Sequence, residues 1–204
     1  MKVLLVNSDF SDNGCTQFGL EYFAEELKKQ GIGSELYVVK EKEDKYSDFH
    51  SFINGCADEL SGIMKNCDGL MYGGAEKYCG INGEAKLLAD RFFDVCPEEY
   101  LAFKAASPFI SLRRDGGSNT HNQVNMYFLS HHMNVIPSSY MRIMHGTNVE
   151  ECKRDVEALE ALENLALNYA YYFQMREFAK EDGIEEPVHD AKVNSNYIRS
   201  EAEY

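Results

Sequence analysis

Long apolar runs are missing from this sequence of 204 residues. No stretch reaches the roughly 18 apolar residues that a membrane-spanning helix needs, so no such helix is predicted. Residues 1–7 form an apolar run with a single lysine, which is too short for the hydrophobic part of a signal peptide. We therefore expect a cytoplasmic protein that does not bind a membrane.

Positive charge is also scarce. The chain has 20 lysines and arginines against 34 aspartates and glutamates, which gives a formal net charge of −14. Nucleic acids and anionic membrane surfaces both repel such a protein. The charge balance therefore argues against a nucleic-acid partner and favours a soluble protein.

Motifs for metal binding and for nucleophilic catalysis are absent. The six cysteines, at positions 15, 56, 67, 79, 96 and 152, contain no Cys-x-x-Cys pair, which disfavours a zinc ribbon or an iron–sulfur cluster. The sequence contains neither His-Glu-x-x-His nor Gly-x-Ser-x-Gly. We predict no metal site and no hydrolase nucleophile, and we interpret the cysteines as reduced thiols of a cytosolic protein.

The chain does contain short apolar strands that alternate with amphipathic helices. Residues 1–7 are followed by a turn-rich loop and by a helical repeat of Leu20, Phe23 and Leu27. A strand of Val and Leu without polar alternation is typical of a parallel sheet, where strands are buried on both faces. Further strands are predicted at residues 36–39, 69–73, 108–112 and 134–136, and further helices at 52–65, 84–95, 120–132 and 150–179. Residues 40–48 are predicted to be a surface loop, and residues 97–107 a longer connection.

This order of elements predicts a flavodoxin-like doubly wound α/β domain over residues 1–179, a three-layer α/β/α structure with five parallel strands in the order 2-1-3-4-5. In such sheets ligands bind beyond the carboxyl ends of the strands, so the loops at 8–16, 74–83 and 113–120 should converge on one site. Residues 180–204 form a polar tail, which is either disordered or an arm that packs on a partner subunit.

The first loop reads Asn7-Ser8-Asp9-Phe10-Ser11-Asp12-Asn13-Gly14-Cys15-Thr16. It resembles, at the same length, the N-G-S-P-R-x-x-G-N-T segment of the flavodoxin-like NAD(P)H-dependent FMN reductases, a family that includes the flavin domains of iron–sulfur flavoproteins. Asn7, Gly14 and Thr16 agree with that pattern. Asp9 stands where the family has a phosphate-binding Ser, and Ser11 stands where it has Arg.

Two later segments resemble the same family. The run Gly73-Gly74-Ala75-Glu76-Lys77-Tyr78-Cys79-Gly80-Ile81-Asn82-Gly83 matches the spacing of G-S-P-V-Y-F-G-S-x-S-G, and the helix after it contains the expected Asp-Arg-Phe at residues 90–92. Gly116 and Gly117 precede a helix that closes with His131-His132-Met133, near the family's H-H-G-M. The cluster cysteines of the iron–sulfur members are not present.

The resemblance implies FMN as cofactor, with its phosphate in the first loop and its ring between the second and third loops, and NAD(P)H as the electron donor. The flavin would perform the hydride transfer, so no catalytic side chain is predicted. The predicted cofactor-binding residues are Ser8, Ser11, Asn13, Gly14, Cys15, Thr16, Gly74, Ala75, Glu76, Lys77, Tyr78, Cys79, Gly80, Arg114, Gly116 and Gly117.

Two interpretations of the first loop are open. Backbone N–H groups at a helix start can bind a phosphate, in which case the Asp9 carboxylate must turn outward, since it would repel the phosphate by about 1–4 kcal/mol. Alternatively, Asp9, Ser11, Asp12 and Asn13 only form turns and cap the helix.

The other two loops also allow two interpretations each. Glu76 and Lys77 are either a solvated loop tip or, for Lys77, a stabiliser of an anionic reduced flavin, while Tyr78 can stack on the ring. Arg113 and Arg114 either hold a pyrophosphate or nicotinamide phosphate, or form salt bridges with the acidic surface.

The leading hypothesis is an FMN-dependent NAD(P)H oxidoreductase that reduces a small molecule such as a quinone or a free flavin. The alternatives are a degenerate module that has lost FMN and binds another ligand or a partner, and an electron carrier. The aromatic residues of the last helix are interpreted as core or as a subunit interface, which predicts a homodimer or homotetramer. These residues are Tyr169, Tyr171, Tyr172, Phe173 and Phe178.

Overall fold

A central parallel sheet with helices on both faces forms the protein, which we describe over residues 1–12 and 14–188 of a computed structural model. The strands are β1 (Lys2–Asn7), β2 (Gly33–Val38), β3 (Gly69–Lys77), β4 (Gly80–Ile81), β5 (Ala105–Leu112), β6 (Asn134–Val135) and β7 (Ile143–His145). The helices are α1 (Cys15–Lys29), α2 (Phe49–Met64), α3 (Gly83–Val95), α4 (Gly117–Ser130), α5 (Val149–Cys152) and α6 (Val156–Glu181).

The strand order β2-β1-β3-β5-β6 confirms the predicted 2-1-3-4-5 arrangement. Every pair along this path is parallel, whereas the short β4 pairs antiparallel with β3. β1 is central because its apolar side chains serve both layers: Leu4 and Val6 pack with α2, α3 and α4, while Val3 and Leu5 pack with α1 and α6. Burial on both faces explains why β1 shows no polar alternation.

Several predicted boundaries were wrong. The predicted helix over residues 150–179 is two helices, α5 and α6, because the Asp155 side chain caps a new helix start by accepting from Ala158 N. The predicted surface loop at 40–48 contains a 3₁₀ helix, Lys40–Lys45, and β5 already begins at Ala105, inside the predicted connection.

The fifth position of the sheet holds the predicted strand, β6, together with a second strand, β7, that was not predicted. β6 pairs with the start of β5, and β7 pairs with its end, so two short strands share one edge. The predicted tail begins inside α6, which extends to Glu181, and Glu186 then forms an ion pair with Arg176. The rest of the predicted tail, residues 189–204, lies outside the described residues.

Candidate functional site

Three polar loops and one further segment meet at the carboxyl edge of the sheet. β1, β3 and β5 are parallel neighbours, so the residues after Asn7, the end of β3 and the residues after Leu112 emerge together. The segment around β7 joins them, since the Cys15 thiol donates to the Gly146 carbonyl at 3.7 Å. The predicted convergence of the loops is therefore present in the fold.

The first loop ends at Gly14, which has φ +72° and directly precedes α1. A left-handed residue is expected to be glycine there, and a Cβ on it would also meet Val149 Cγ2 at 3.1 Å. The loop thus delivers its backbone to the positive end of a 15-residue helix. Asn13 lies outside the described residues.

The Asp9 side chain lies inside the first loop, with 4% exposure. Its Oδ1 accepts from Ser11 N at 2.9 Å, and its Oδ2 accepts from Ser11 Oγ at 2.8 Å and from Thr16 Oγ1 at 3.0 Å. The phosphate-binding interpretation required Asp9 to turn outward, but the carboxylate turns inward, because the buried hydroxyl of Thr16 and the turn at Ser11 give it partners. The turn of the second interpretation is present, whereas no described side chain caps α1. The Asp12 carboxylate instead points to solvent and pairs with Lys40.

Two other predicted residues of this loop direct their side chains away from its interior. The Ser8 hydroxyl is buried and donates to the Gly73 carbonyl at 2.6 Å. The Cys15 thiol is buried against α5, where it contacts Cys152. Any contribution of these two residues to ligand binding would come from the backbone.

Ser111, near the end of β5, is a site residue that the sequence analysis missed. Its hydroxyl lies 2.7 Å from Thr16 Oγ1 and is fully enclosed, so it fixes the Thr16 side chain toward Asp9. An isolated serine in an apolar strand was the available signal, but its partner is 95 residues away in sequence. The contact ties the first loop to the strand that leads into the third loop.

The second loop is a β-hairpin rather than an open loop. β3 continues through Gly74, Ala75, Glu76 and Lys77, and the last two pair with Ile81 and Gly80 of β4. Tyr78 and Cys79 form the tip with φ 54° and 60°, the left-handed geometry of a tight hairpin turn. The Glu76 carboxylate holds this turn by accepting from Cys79 N.

Tyr78 is 95% exposed. Lys77 is also exposed and has no ion-pair partner in the described part of the chain. The side chains at the hairpin tip are thus free to contact a ligand that lies over this edge.

The third loop packs directly on the hairpin. Gly116 has φ +95°, and a Cβ on it would lie 2.6 Å from Cys79 Cα and 2.9 Å from Glu76 Oε1. Only glycine permits this approach. The Asn119 side chain adds a hydrogen bond to the Cys79 carbonyl. The second and third loops therefore form one continuous wall.

A pocket of about 490 Å³ opens beside this wall. Four of the predicted site residues line it: Cys79, Arg114, Gly116 and Gly117. Its other side is formed by Tyr140, Met141, Ile143 and the start of α6, none of which the sequence analysis singled out. A volume between about 300 and 1,000 Å³ is typical of small-molecule and cofactor sites.

A histidine–aspartate pair also lines this pocket. His145 Nδ1 lies 3.1 Å from Asp155 Oδ2, and the same oxygen accepts from His145 N at 2.7 Å. Asp155 is held in place because its other oxygen, Oδ1, caps α6. An aspartate directly before a helical pattern predicts an N-cap, so Asp155 could have been identified from the sequence. Its pairing with His145 could not be predicted from spacing.

The sequence also matches a known family. A sequence model of NADPH-dependent FMN reductases matches residues 1–148, which include all three loops. The chain belongs to the NADPH-dependent FMN reductase family. No curated protein matches the sequence significantly.

Solved structures share the fold. RosB with the bound intermediate 8-demethyl-8-formylriboflavin-5′-phosphate aligns with a TM-score of 0.69 at 16% identity, over 98% of this chain and 95% of RosB. The apo form of the NADH:FMN oxidoreductase EmoB aligns with a TM-score of 0.66 at 17% identity, over 83% and 88% of the two chains. Flavodoxin 2 from Bacillus cereus aligns with a TM-score of 0.59 at 16% identity, over 84% and 99%. These identities support a flavodoxin-like fold and nothing finer.

The residues of the first loop fit the phosphate of a flavin in chemical type. The Asp9 carboxylate is itself an anion held by donors from Ser11 and Thr16, which shows that this loop accommodates negative charge beside the α1 N-terminus. A phosphate needs the same kind of donors, so it competes with Asp9 for them. Membership of the family supports flavin binding by this chain.

Neither Arg113 nor Arg114 forms a salt bridge within residues 1–12 and 14–188. Both side chains are exposed at the third loop, and Arg114 lines the pocket. The salt-bridge interpretation of this pair was therefore wrong for the described chain. Two unpaired guanidinium groups remain available to an anionic ligand.

Two buried polar side chains lie behind the site. His121 and Arg142 are 4% and 5% exposed, and His121 Nε2 and two nitrogens of Arg142 have no hydrogen-bond partner among the described residues. Burial, with a smaller contribution from the positive Arg142, lowers the pKa of His121 to about 3. Burial likewise lowers the pKa of Arg142 to about 10.

The described residues contain neither a membrane-spanning helix nor a metal-binding cluster. None of the helices within residues 1–12 and 14–188 is both long and apolar enough to cross a membrane. The same residues contain no group of three or more His, Cys, Asp or Glu side chains positioned to hold a metal ion.

Proposed function

We propose that this protein is an FMN-dependent NAD(P)H oxidoreductase that passes electrons to a small acceptor of the quinone or flavin type. The observation that carries the proposal is a single edge of the sheet where an anion-holding loop adjoins a pocket of about 490 Å³, in a chain of the FMN reductase family. The third loop lines the pocket through Arg114, Gly116 and Gly117, and Cys79 contributes from the second loop; the family resemblance assigns both loops to the flavin ring.

The chain's own residues would bind and orient the cofactor. Ser11 and Thr16 would donate to the phosphate in place of the Asp9 carboxylate that they now contact, and Gly14 would allow the backbone to approach it. Cys79, Gly116 and Gly117 form the wall beside the ring. Bound FMN supplies hydride transfer between the nicotinamide and the acceptor.

The unpaired Arg113 and Arg114 favour NADPH over NADH. A guanidinium group recognises a phosphate by paired, charge-assisted hydrogen bonds, and NADPH carries one phosphate more than NADH. Replacing both arginines with Gln should raise KM for NADPH more than KM for NADH. Equal changes in the two KM values would remove this assignment.

The direct test is reconstitution. Purified protein is incubated with FMN, desalted, and examined for retained flavin absorbance, after which NADPH is added without oxygen. Retained flavin that NADPH bleaches supports the proposal. Retained flavin that only an external reductase can reduce indicates an electron carrier, and colourless protein indicates a degenerate module.

A second candidate is that a flavin phosphate is the substrate itself. The specific observation is the reciprocal coverage of 98% and 95% with RosB, whose structure holds a modified riboflavin phosphate as an intermediate. The buried Asp9 carboxylate also favours a flavin that exchanges rather than one held permanently. Mass spectrometry of the flavin after incubation separates the two: unchanged FMN supports the reductase.

We also propose that the protein is a homodimer formed through α6. Leu167, Tyr171, Met175 and Phe178 recur at spacings of three and four residues, and each is between 45% and 71% exposed. By contrast, Tyr169 and Phe173 of the same helix are buried core. Light scattering should give twice the chain mass, and Tyr171→Glu with Phe178→Glu should halve it.

A further inference from the structure

His145 and Asp155 form a hydrogen-bonded pair at the wall of the pocket, and the proposed flavin chemistry does not use them. The His145 side chain is 56% exposed, whereas Asp155 is only 15% exposed. The aspartate oxygen contacts both His145 Nδ1 and His145 N, so the ring is fixed at two points. Nδ1 is thereby committed to Asp155, which leaves Nε2 as the polar atom available to a ligand.

We propose that His145, oriented by Asp155, donates a proton to the electron acceptor, and that this acceptor is an uncharged quinone. The inference rests on the proposed function, because it assigns the acceptor to the same pocket. His145 is a catalytic residue in this scheme, and Asp155 is a positioning residue.

The pocket chemistry favours an uncharged acceptor. Leu112, Ile143 and Ala158 give it apolar walls, and Tyr140 adds an aromatic ring. Its remaining charged side chains are mostly carboxylates, from Asp115, Asp155 and Glu157, against Arg114. A quinone carries no charge and needs no counter-ion, and the apolar walls and the Tyr140 ring give its own ring a surface to pack on.

The proton requirement follows from the balance of the reaction. Reduction of a quinone to a hydroquinone takes two electrons, which arrive with the hydride, and one further proton. That proton leaves His145 Nε2 and adds to a quinone carbonyl oxygen, so a neutral imidazole remains. Solvent restores the proton because the side chain is more than half exposed. A positioned acid of this kind contributes about 10²–10⁴ in rate.

The kinetic test compares acceptors that do and do not need a proton. FMN-loaded wild type and His145→Gln are reduced with NADPH and then mixed with tetramethyl-1,4-benzoquinone or with ferricyanide. The tetramethylquinone has no free ring carbon to react with the exposed Cys79 thiol, and ferricyanide accepts an electron without a proton. We expect a loss of at least about 10²-fold with the quinone and less than about twofold with ferricyanide.

His132→Asn is the matched control. His132 Nε2 lies 3.3 Å from Glu98 Oε1, a comparable pair near the start of β5 and away from the pocket, and asparagine tolerates its φ of 55°. This variant should leave both acceptor rates unchanged. Equal losses with both acceptors in His145→Gln, or no loss with either, would overturn the role of His145.

A spectroscopic test does not depend on turnover. Nitrogen NMR of the histidine rings should show that the neutral form of His145, which remains after proton transfer, keeps its proton on Nδ1 in wild type. Asp155→Ala removes the acceptor at Nδ1, so nothing holds the proton of the neutral ring there and the ring should carry it on Nε2. The same tautomer in both proteins would overturn the assigned orientation.

The outcomes also separate this inference from the proposed function. If wild type retains FMN but NADPH does not reduce it, the proposed donor is wrong, and photochemical reduction of the flavin still allows the acceptor step to be measured. If wild type retains no FMN, the proposed function fails, while the tautomer measurement still tests the His145–Asp155 pair. If NADPH reduces the flavin normally and only the quinone comparison fails, the role of His145 alone is wrong.

Discussion

The Thr16 hydroxyl donates to the Asp9 carboxylate at 3.0 Å, directly at the start of α1. This contact places an internal anion among the donors that would otherwise face a flavin phosphate. Ser111 supports the same hydroxyl from the neighbouring strand, so the arrangement is built into the sheet edge rather than into the loop alone. The strength of flavin binding should therefore depend on Asp9.

Replacing Asp9 with Ser should strengthen FMN binding. Removal of the carboxylate relieves a repulsion of about 1–4 kcal/mol and frees the Ser11 and Thr16 donors, so Kd should fall roughly tenfold or more. The flavin-free variant should be less stable by about 1–3 kcal/mol, because the same donors lose their partner. Calorimetric titration and urea unfolding measure the two effects.

Asp12→Ser is the control for this variant. Its carboxylate is 94% exposed and pairs with Lys40 at the surface, so both FMN affinity and stability should change little. Weaker FMN binding by Asp9→Ser would show that the Asp9 carboxylate supports the flavin site instead of competing in it.

Relieving the backbone strain at the hairpin tip should stabilise the flavin-free protein and weaken FMN binding. Tyr78 and Cys79 both have positive φ, which asparagine and glycine adopt far more easily. The double variant Tyr78→Asn, Cys79→Gly should stabilise the flavin-free protein by about 1–3 kcal/mol. It should also weaken FMN binding, because the tip loses the exposed aromatic ring that is predicted to stack on the flavin.

Thermal melts with and without FMN check both halves of this prediction. Cys79→Gly alone is the control, since it keeps the tyrosine while it relieves one strained position. A double variant that binds FMN as tightly as wild type would show that Tyr78 does not contact the flavin.

His121 should make stability depend on pH. Its folded pKa of about 3 lies below the ordinary value of about 6.5, so between these values the unfolded chain binds a proton that the folded protein does not. This contribution to stability is complete above about pH 6.5 and is lost as pH falls, by about 1.4 kcal/mol per pH unit.

Between pH 4.5 and about 6.5, the ordinary pKa of histidine, the free energy of unfolding of His121→Leu should fall less steeply with decreasing pH than that of wild type. His50→Gln, at an exposed position on α2, is the control and should follow wild type in parallel. If the curves of His121→Leu and wild type are parallel, His121 is not buried in the neutral form.

Arg142 should be replaceable with a gain in stability. Its guanidinium is buried, and Nε and Nη2 have no partner among the described residues, so the folded protein bears an uncompensated desolvation cost. Arg142→Met should raise the free energy of unfolding by about 1–3 kcal/mol in urea titrations. Arg91→Met, where the side chain is 41% exposed, should change it by less than about 0.5 kcal/mol.

A loss of stability in Arg142→Met would contradict this prediction. It would mean that the guanidinium has a partner in solution, for example a bound anion.

The strand order could be predicted from the sequence because burial leaves a local signature. Val3 to Val6 are apolar without interruption since each faces a helix layer, and Gly14 marks a left-handed turn that few other residues tolerate. The convergence of the three loops followed from parallel topology alone.

The interior of the site could not be predicted in the same way. Asp9 turns inward because Thr16 and Ser111 meet there, and that meeting depends on contacts between residues far apart in sequence. The same holds for His145 and Asp155, whose pairing required the break between α5 and α6. Glu76 and Lys77 were interpreted as a possible loop tip because two adjacent charged residues lack the apolar–polar alternation that indicates a strand. They extend β3 into the hairpin.

Anaerobic titration of FMN-reconstituted, desalted protein with NADPH tests whether the protein binds FMN and reduces it with NADPH. We expect that flavin stays with the protein through desalting in equimolar amount and that NADPH bleaches its absorbance. Protein that retains no flavin, or retained flavin that neither NADPH nor NADH bleaches, would contradict it.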